Sequence, residues 1–281
     1  MKNTMKNTKI IAVANQKGGV AKTTSVLNIG VALCQMEKKV LLIDGDPQSS
    51  LSKAYMHITD TDDVIGMTEL MAATMQHKPI DVSTAIHHND LNDIDYIPAN
   101  IGFSGIENQL VNTRLRESVM QRALDNENIK VKYDYVIIDC PPSLSMLLYN
   151  ELTAADEVVI PVEPEDMSID GINLLLDTIA DVQEYTNPKL NVLGFIITKA
   201  YNRAVLHRKN IRLLEETYND IHIIGTTNKH MAAAESVSAA KALVLYRECQ
   251  SNEYFNKLAY QYKAIAKYID YKCEIKKKES V

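Results

Sequence analysis

The 281-residue sequence predicts a three-layer α/β sandwich around a mostly parallel sheet, on three observations. Short apolar runs alternate with longer segments of helical periodicity along nearly the whole chain. Several of these runs are unbroken Val/Ile/Leu stretches, as strands buried on both faces are. No Gly/Ser- or Pro-rich linker, long low-complexity tract or large repeat divides the chain. One domain over 9–270 is therefore expected, between a disordered polar lead-in (1–8, MKNTMKNT) and a basic flexible tail (271–281).

In order, the expected strands are Lys9–Ala14, Lys39–Ile43, Ile94–Pro98, Tyr133–Ile138, Glu157–Pro161, Leu190–Thr198 and Ile221–Ile224. Apolar positions at helical spacing predict helices over Thr23–Met36, Ser104–Asn126, Ser168–Glu184 and Val205–Tyr218. A last helix carries Phe255, Leu258, Tyr262, Ile265 and Ile269 as one core-facing stripe. Residues 57–92, rich in Asp, His and Thr, are the least regular stretch, with one short helix expected over Met67–Thr74.

Composition excludes several classes. No apolar run approaches the roughly 18 residues of a membrane span. The apolar stretch Ile10–Ala14 is too short for a signal-peptide core and runs into a glycine loop. Four cysteines (Cys34, Cys140, Cys249, Cys273) lie far apart without metal-type spacing and read as reduced cytosolic thiols. The net charge of −6 argues, for the whole chain, against nucleic acid or anionic membrane. Its distribution reverses that argument. Residues 1–198 hold 15 basic and 27 acidic residues, whereas 199–281 hold 15 basic and 9 acidic, a local +6.

The most informative segment, Asn15-Gln16-Lys17-Gly18-Gly19-Val20-Ala21-Lys22-Thr23-Thr24, follows one expected strand and opens a helix. Glycines let successive N–H groups curl around one anion, and the helix N-terminus adds positive dipole. In such a loop Lys22 reaches the β and γ phosphates and the Thr23 hydroxyl is placed for Mg²⁺. Two carboxylates, Asp44 and Asp46 of Asp44-Gly45-Asp46-Pro47-Gln48, follow the second strand, where ligands bind in open α/β sheets. One can position the water that attacks a γ phosphate and the other can support Mg²⁺. Asp139, ending the apolar run Tyr135–Ile138, matches a Walker B aspartate that holds Mg²⁺ through water. Cys140 beside it reads as a packing residue, because no nearby His supplies a base.

Lys17 is the unusual element, a second lysine five residues before the phosphate-loop lysine. KGGVAKTT resembles the deviant Walker A motif of the ParA/MinD group of P-loop ATPases. The resemblance implies that Lys17 reaches across a nucleotide-sandwich dimer to the partner subunit's phosphates. The group's usual glycine is replaced by Ala21. Similarity to the D-x-D-P-Q element assigns the water-orienting role to Asp46 and puts Asp44 nearer the metal. Asp139-Cys140-Pro141-Pro142-Ser143 resembles the switch segment of ParA-type proteins. Pro161-Val162-Glu163-Pro164-Glu165 resembles a segment near the dimer interface, and Ile196-Ile197-Thr198-Lys199 a strand end near the base.

Positive charge in the last part of the chain falls on helices. Arg208, Lys209 and Arg212 share roughly a 100° arc opposite Leu206, Leu213 and Leu214, bordered by Glu215 and Glu216. Lys257, Lys263 and Lys267 lie opposite the apolar stripe of the last helix. With Lys229, Lys241, Arg247 and Lys276–Lys278 they make a candidate phosphate-reading surface. Lacking a helix-turn-helix pattern, it is expected to bind double-stranded DNA without sequence preference.

The resemblance to ParA/Soj-type partition ATPases implies a Mg²⁺-dependent, slow ATPase that dimerises on ATP, associates with the nucleoid and responds to a ParB-type partner. The alternative is a MinD-like ATPase on a membrane surface, which needs an apolar amphipathic C-terminus. The polar tail from Tyr271 does not supply one. A nitrogenase-iron-protein type of relative needs two interface cysteines, and Cys140 has no companion in sequence. A small-molecule kinase needs an acceptor pocket, and none is identifiable in the sequence.

Overall fold

The structure, a computed structural model, describes residues 8–58, 63–100, 102–166, 169–201, 203–246 and 253–279. The expected lead-in therefore lies outside the described residues, apart from Thr8, and so do Ser168 and Arg247. Eight strands form one sheet: β1 (Lys9–Val13), β2 (Val40–Asp44), β3 (His87–Asn89), β4 (Ile94–Ile97), β5 (Tyr135–Asp139), β6 (Glu157–Val162), β7 (Asn191–Ala200) and β8 (Ile223–Asn228). Their order is β3-β4-β2-β5-β1-β6-β7-β8, and every pairing is parallel except β3 with β4. The fully buried strands β2, β5 and β6 are the unbroken apolar runs of the sequence.

Eleven α-helices among the described residues cover both faces. On one side lie α1 (Lys22–Cys34), α2 (Ser50–Tyr55), α10 (Ala232–Ser238) and α11 (Glu253–Glu279). On the other lie α3 (Met67–Met75), α4 (Phe103–Leu110), α5 (Val119–Leu124), α6 (Glu127–Lys132), α7 (Met146–Ala154), α8 (Ile169–Tyr185) and α9 (Val205–Thr217). Helix α8 shows the ordinary logic: Ile172, Leu175, Ile179 and Val182 repeat every three to four residues and are buried as one stripe.

Three expectations are corrected. The single helix over 104–126 is broken between α4 and α5, where Leu115 takes a left-handed φ of 52°. Buried Asn150 of α7 explains the break. Its Nδ2 donates to the Arg116 carbonyl (2.7 Å) and its Oδ1 accepts from the Met120 N–H (3.1 Å), so a tertiary partner satisfies backbone that a helix would otherwise use. In α9, only Leu214 of the three leucines is buried, together with His207, while Leu206 is 51% and Leu213 42% exposed. Finally, the segment expected as a flexible tail continues α11 as far as Glu279, with Cys273 buried beneath it.

Strand order positions the site. From β1 the chain crosses to β2, reaches β3 and β4 at the edge, returns as β5 beside β1, and then continues through β6, β7 and β8 on the other side. The direction of progression thus reverses beside β1, at whose C-terminal edge ligands bind in such sheets. The loops after β1, β2 and β5 meet there.

Candidate active site

The loop after β1 is held by its own side chains. Asn15 Nδ2 donates to the Pro161 carbonyl at the end of β6 (2.7 Å), and Asn15 Oδ1 accepts the Lys17 N–H (2.8 Å). Lys22 Nζ turns back to donate to the Lys17 carbonyl (3.2 Å), closing the loop on itself. From the far side, Thr198 Oγ1 donates to the Val20 carbonyl (3.0 Å), and Lys199 Nζ to the Gly19 carbonyl (2.5 Å) and Glu163 Oε2 (3.0 Å). Gly19 has a φ of 77°, and a Cβ at Gly18 or Gly19 would point into open space. This concave backbone ends at the N-terminus of α1, which has no side-chain cap and no acidic residue in its first turn. It is a cradle for an anion. Ala21 sits at its turn with a φ of 66°, a left-handed conformation that costs a residue with a Cβ about 1 kcal/mol or more.

Beneath the loop, Asp44, Asp46 and Asp139 converge, all under 9% exposed. Asp44 is fully engaged: Oδ2 accepts from Ser52 N–H (2.8 Å) and Oγ (2.7 Å), and Oδ1 from the Asp46 N–H (3.2 Å). Burial pushes its carboxyl up to about 7 against those hydrogen bonds. These hydrogen bonds shape the Asp44–Asp46 turn. Asp46 accepts the Gln48 N–H (2.9 Å) and lines the cleft; burial raises it, with the Gln48 amide and Lys22 opposing. Asp139 is different. Neither of its oxygens meets hydrogen-bond geometry with a described group. Burial, then the charge of Asp44, push its carboxyl well above the usual range, while Thr23 and Lys22 pull it down. Two orphaned carboxylate oxygens beside the Thr23 hydroxyl fit a hydrated Mg²⁺ between them. Burial lowers the Lys22 ammonium from the usual lysine value, and Asp139 leads the charges that restore it.

Gly18, Gly19, Ala21, Lys22, Thr23, Thr24 and Asp46 line one cleft of about 520 Å³. Val20 turns into the core, and Lys17 is half-buried at the loop without lining this cleft. Sequence reasoning missed the cleft's far end, which Thr227, Asn228, Ala233, Ala234 and Tyr262 line. Its signal was the Gly225-Thr226-Thr227-Asn228 run, which reads as a turn but extends β8. Cys140 is fully buried and its thiol is pushed well up by burial, so it packs and does not react.

The basic residues are less gathered. Arg208, Lys209 and Arg212 are exposed on α9, whereas Lys257, Lys263 and Lys267 are exposed on α11, across the sheet. Lys229 is ion-paired to Glu165 (2.9 Å), and half-buried Lys241 lies over the Tyr246 ring. Arg203, which sequence reasoning passed over, shares a second cleft with Lys229, His230, Tyr254 and Lys257. No helix among the described residues is long and apolar enough to cross a membrane.

Comparison with known proteins agrees with this geometry. A family profile described as "AAA domain" matches residues 8–192. The sporulation initiation inhibitor protein Soj of Bacillus subtilis is 37% identical over 238 residues, covering 85% of this chain and 91% of Soj. The chromosome partitioning protein ParA of Caulobacter vibrioides is 34% identical over 256 residues, covering 89% and 92%. The crystal structure of cobyrinic acid a,c-diamide synthase from Mycobacterium smegmatis with bound ADP and magnesium superposes with a TM-score of 0.73. It is 35% identical, over 87% of this chain and 96% of that one.

Proposed function

This chain belongs to the ParA/Soj family of P-loop ATPases, and on that premise we propose that it is a DNA-partition ATPase. In this reading an ATP-bound homodimer holds double-stranded DNA without sequence preference, on the nucleoid. Hydrolysis, slow until a ParB-type centromere-binding partner stimulates it, opens the dimer and releases the DNA. The observation that carries the reading is the division of labour between two lysines of one loop. Lys22 is sealed into its own cleft, while Lys17 sits at the same loop outside that cleft. A cation so placed suits the phosphates of a second copy.

ATP lies with its phosphates on the cradle of residues 17–24 and its base toward Thr227 and Asn228. Thr23 and Asp139 would hold Mg²⁺, which would supply charge neutralisation at the phosphates. Lys22, whose ammonium the buried acidic neighbours favour against the effect of burial, donates to the β and γ oxygens. Asp46, fixed by the Gln48 amide, accepts a hydrogen bond from the attacking water and sets its line of approach. Asp44 holds that turn in place through Ser52.

Pairing two copies doubles the phosphates engaged, so DNA affinity follows nucleotide state. A membrane-surface role is disfavoured by α11, whose apolar stripe from Phe255 to Cys273 is buried in this fold. Binding of random-sequence duplex DNA with ATP, ADP or no nucleotide, across a salt series, tests the reading. Tight, salt-sensitive binding with ATP alone is expected. Binding indifferent to nucleotide, or none at any salt, overturns it, and pelleting with anionic vesicles in parallel points to the membrane alternative.

A further inference from the structure

Glu151 lies in the middle of α7, fully buried, and neither carboxyl oxygen meets a hydrogen-bond partner among the described residues. A buried polar group left in that state costs roughly 1–3 kcal/mol, so a hydrophobic side chain would serve packing alone better. Its direction is informative. A Cβ built on Gly45 would fall 2.3 Å from Glu151 Oε1, 2.9 Å from its Cδ and 3.0 Å from the Asp139 carbonyl oxygen. Gly45 is not among the positive-φ glycines, so its backbone does not require glycine. The space that a side chain at position 45 would fill is filled from behind by Glu151.

Gly45 is the hinge of the carboxylate cluster. It joins Asp44 to Asp46, and its N–H donates to the Asp139 carbonyl (3.0 Å). A shift at this residue therefore moves the aspartate that faces the cleft. Burial first, and then the charges of Asp46 and Asp139, hold the Glu151 carboxyl well above the usual range, with the Cys140 thiol opposing. The group that backs Gly45 is thus held against it by shape.

We propose that Glu151 is a positioning residue for ATP hydrolysis: its side chain and the absent side chain of Gly45 are a size-matched pair that sets where Asp46 points. This rests on Asp46 as the residue that orients the attacking water. It assigns Glu151 no contact with nucleotide, so its effects belong in kcat and not in nucleotide affinity.

A double-mutant cycle in the full-length protein tests the pairing, with kcat, ATP-analogue affinity and melting temperature measured for every variant. Gly45→Ala is expected to lower kcat about tenfold or more, and Glu151→Ala about threefold to tenfold, with affinity changed less than about threefold. The double variant trades one side chain for the other, leaving only the 3.0 Å approach to the Asp139 carbonyl to relax by a few tenths of an ångström. Its kcat is expected to exceed the product of the single effects by about tenfold. Glu151→Gln, which keeps the shape without an ionisable group, is expected within about threefold of wild type. Additive single effects, or a Gln variant as impaired as the Ala variant, overturn the proposal while wild-type hydrolysis stands. Losses that follow melting temperature and affinity instead of kcat overturn it as well. A wild-type protein that binds no ATP removes the underlying reading and the proposal with it.

Discussion

The nucleotide cleft and the basic outer surfaces are built on opposite principles. In the cleft, Lys22, Asp44 and Asp46 follow central strands, are nearly or fully buried, and are held by hydrogen bonds to backbone groups: Lys22 to the Lys17 carbonyl, Asp46 to the Gln48 amide, Asp44 to Ser52. The lysines and arginines of α9 and α11 are exposed and lie across the sheet from one another. Chemistry that depends on fractions of an ångström is written in contiguous motifs at strand ends. Recognition of a polyanion is written as composition, and only the fold says which charges share a side.

The contrast is broken most severely at Lys22. Lys22→Ala is expected to lower ATP hydrolysis at least about 100-fold in a steady-state phosphate-release assay, because transition-state charge is no longer stabilised. Turnover near wild type would remove the loop from the mechanism. Asp46→Ala is expected to cost a similar factor in kcat while ATP-analogue binding survives, and to accumulate an ATP-bound dimer on a sizing column. Equal loss of binding would make Asp46 a ligand of the nucleotide instead of the water.

Effects on the outer surfaces are graded. Reversing both Lys263 and Lys267 of α11 to Glu is expected to weaken ATP-dependent DNA binding about tenfold or more. The salt slope should flatten by about 0.9 for each phosphate that is no longer neutralised. The same reversal at Arg208 and Arg212 is expected to do less, because Glu215 and Glu216 border that arc on α9 and already dilute its field. The opposite ranking would move the DNA face to the other layer. The smallest change is Ala21→Gly. Relief of the left-handed φ outweighs the extra freedom of glycine in the unfolded chain, and stability is expected to rise by about 0.5 kcal/mol. A lower denaturation midpoint would show that the Ala21 methyl is favourably packed.

Most of the sheet was legible because buried parallel strands announce themselves as unbroken apolar runs, as β2 and β5 do. The phosphate loop was legible because its chemistry is local. What escaped depends on distant partners. Nothing in the run 104–126 reveals that Asn150 will take up its backbone groups and split it. Strand β3, three residues of His and Asn at the antiparallel edge, lacks any apolar run. The helical wheel of α9 sets Leu206, Leu213 and Leu214 together opposite the basic arc, whereas the fold buries only Leu214 of the three, with His207, and leaves the other two exposed. Glu151 is the sharpest case. In sequence it is one polar residue in a short helix, and only the folded chain shows its carboxyl occupying the place of a side chain at Gly45.

Activity of mixed dimers tests the central claim, that Lys17 serves the partner's nucleotide, most directly. Lys17→Ala and Asp46→Ala are each expected to be nearly inactive alone. In a mixed dimer, the Lys17→Ala subunit keeps its own Asp46 and receives Lys17 from its partner, so one of the two sites is whole. An equal mixture should then recover about a quarter of the wild-type rate, since half the dimers are mixed and each has one competent site. A mixture no more active than its two components would place Lys17 at its own subunit's phosphates and contradict the account.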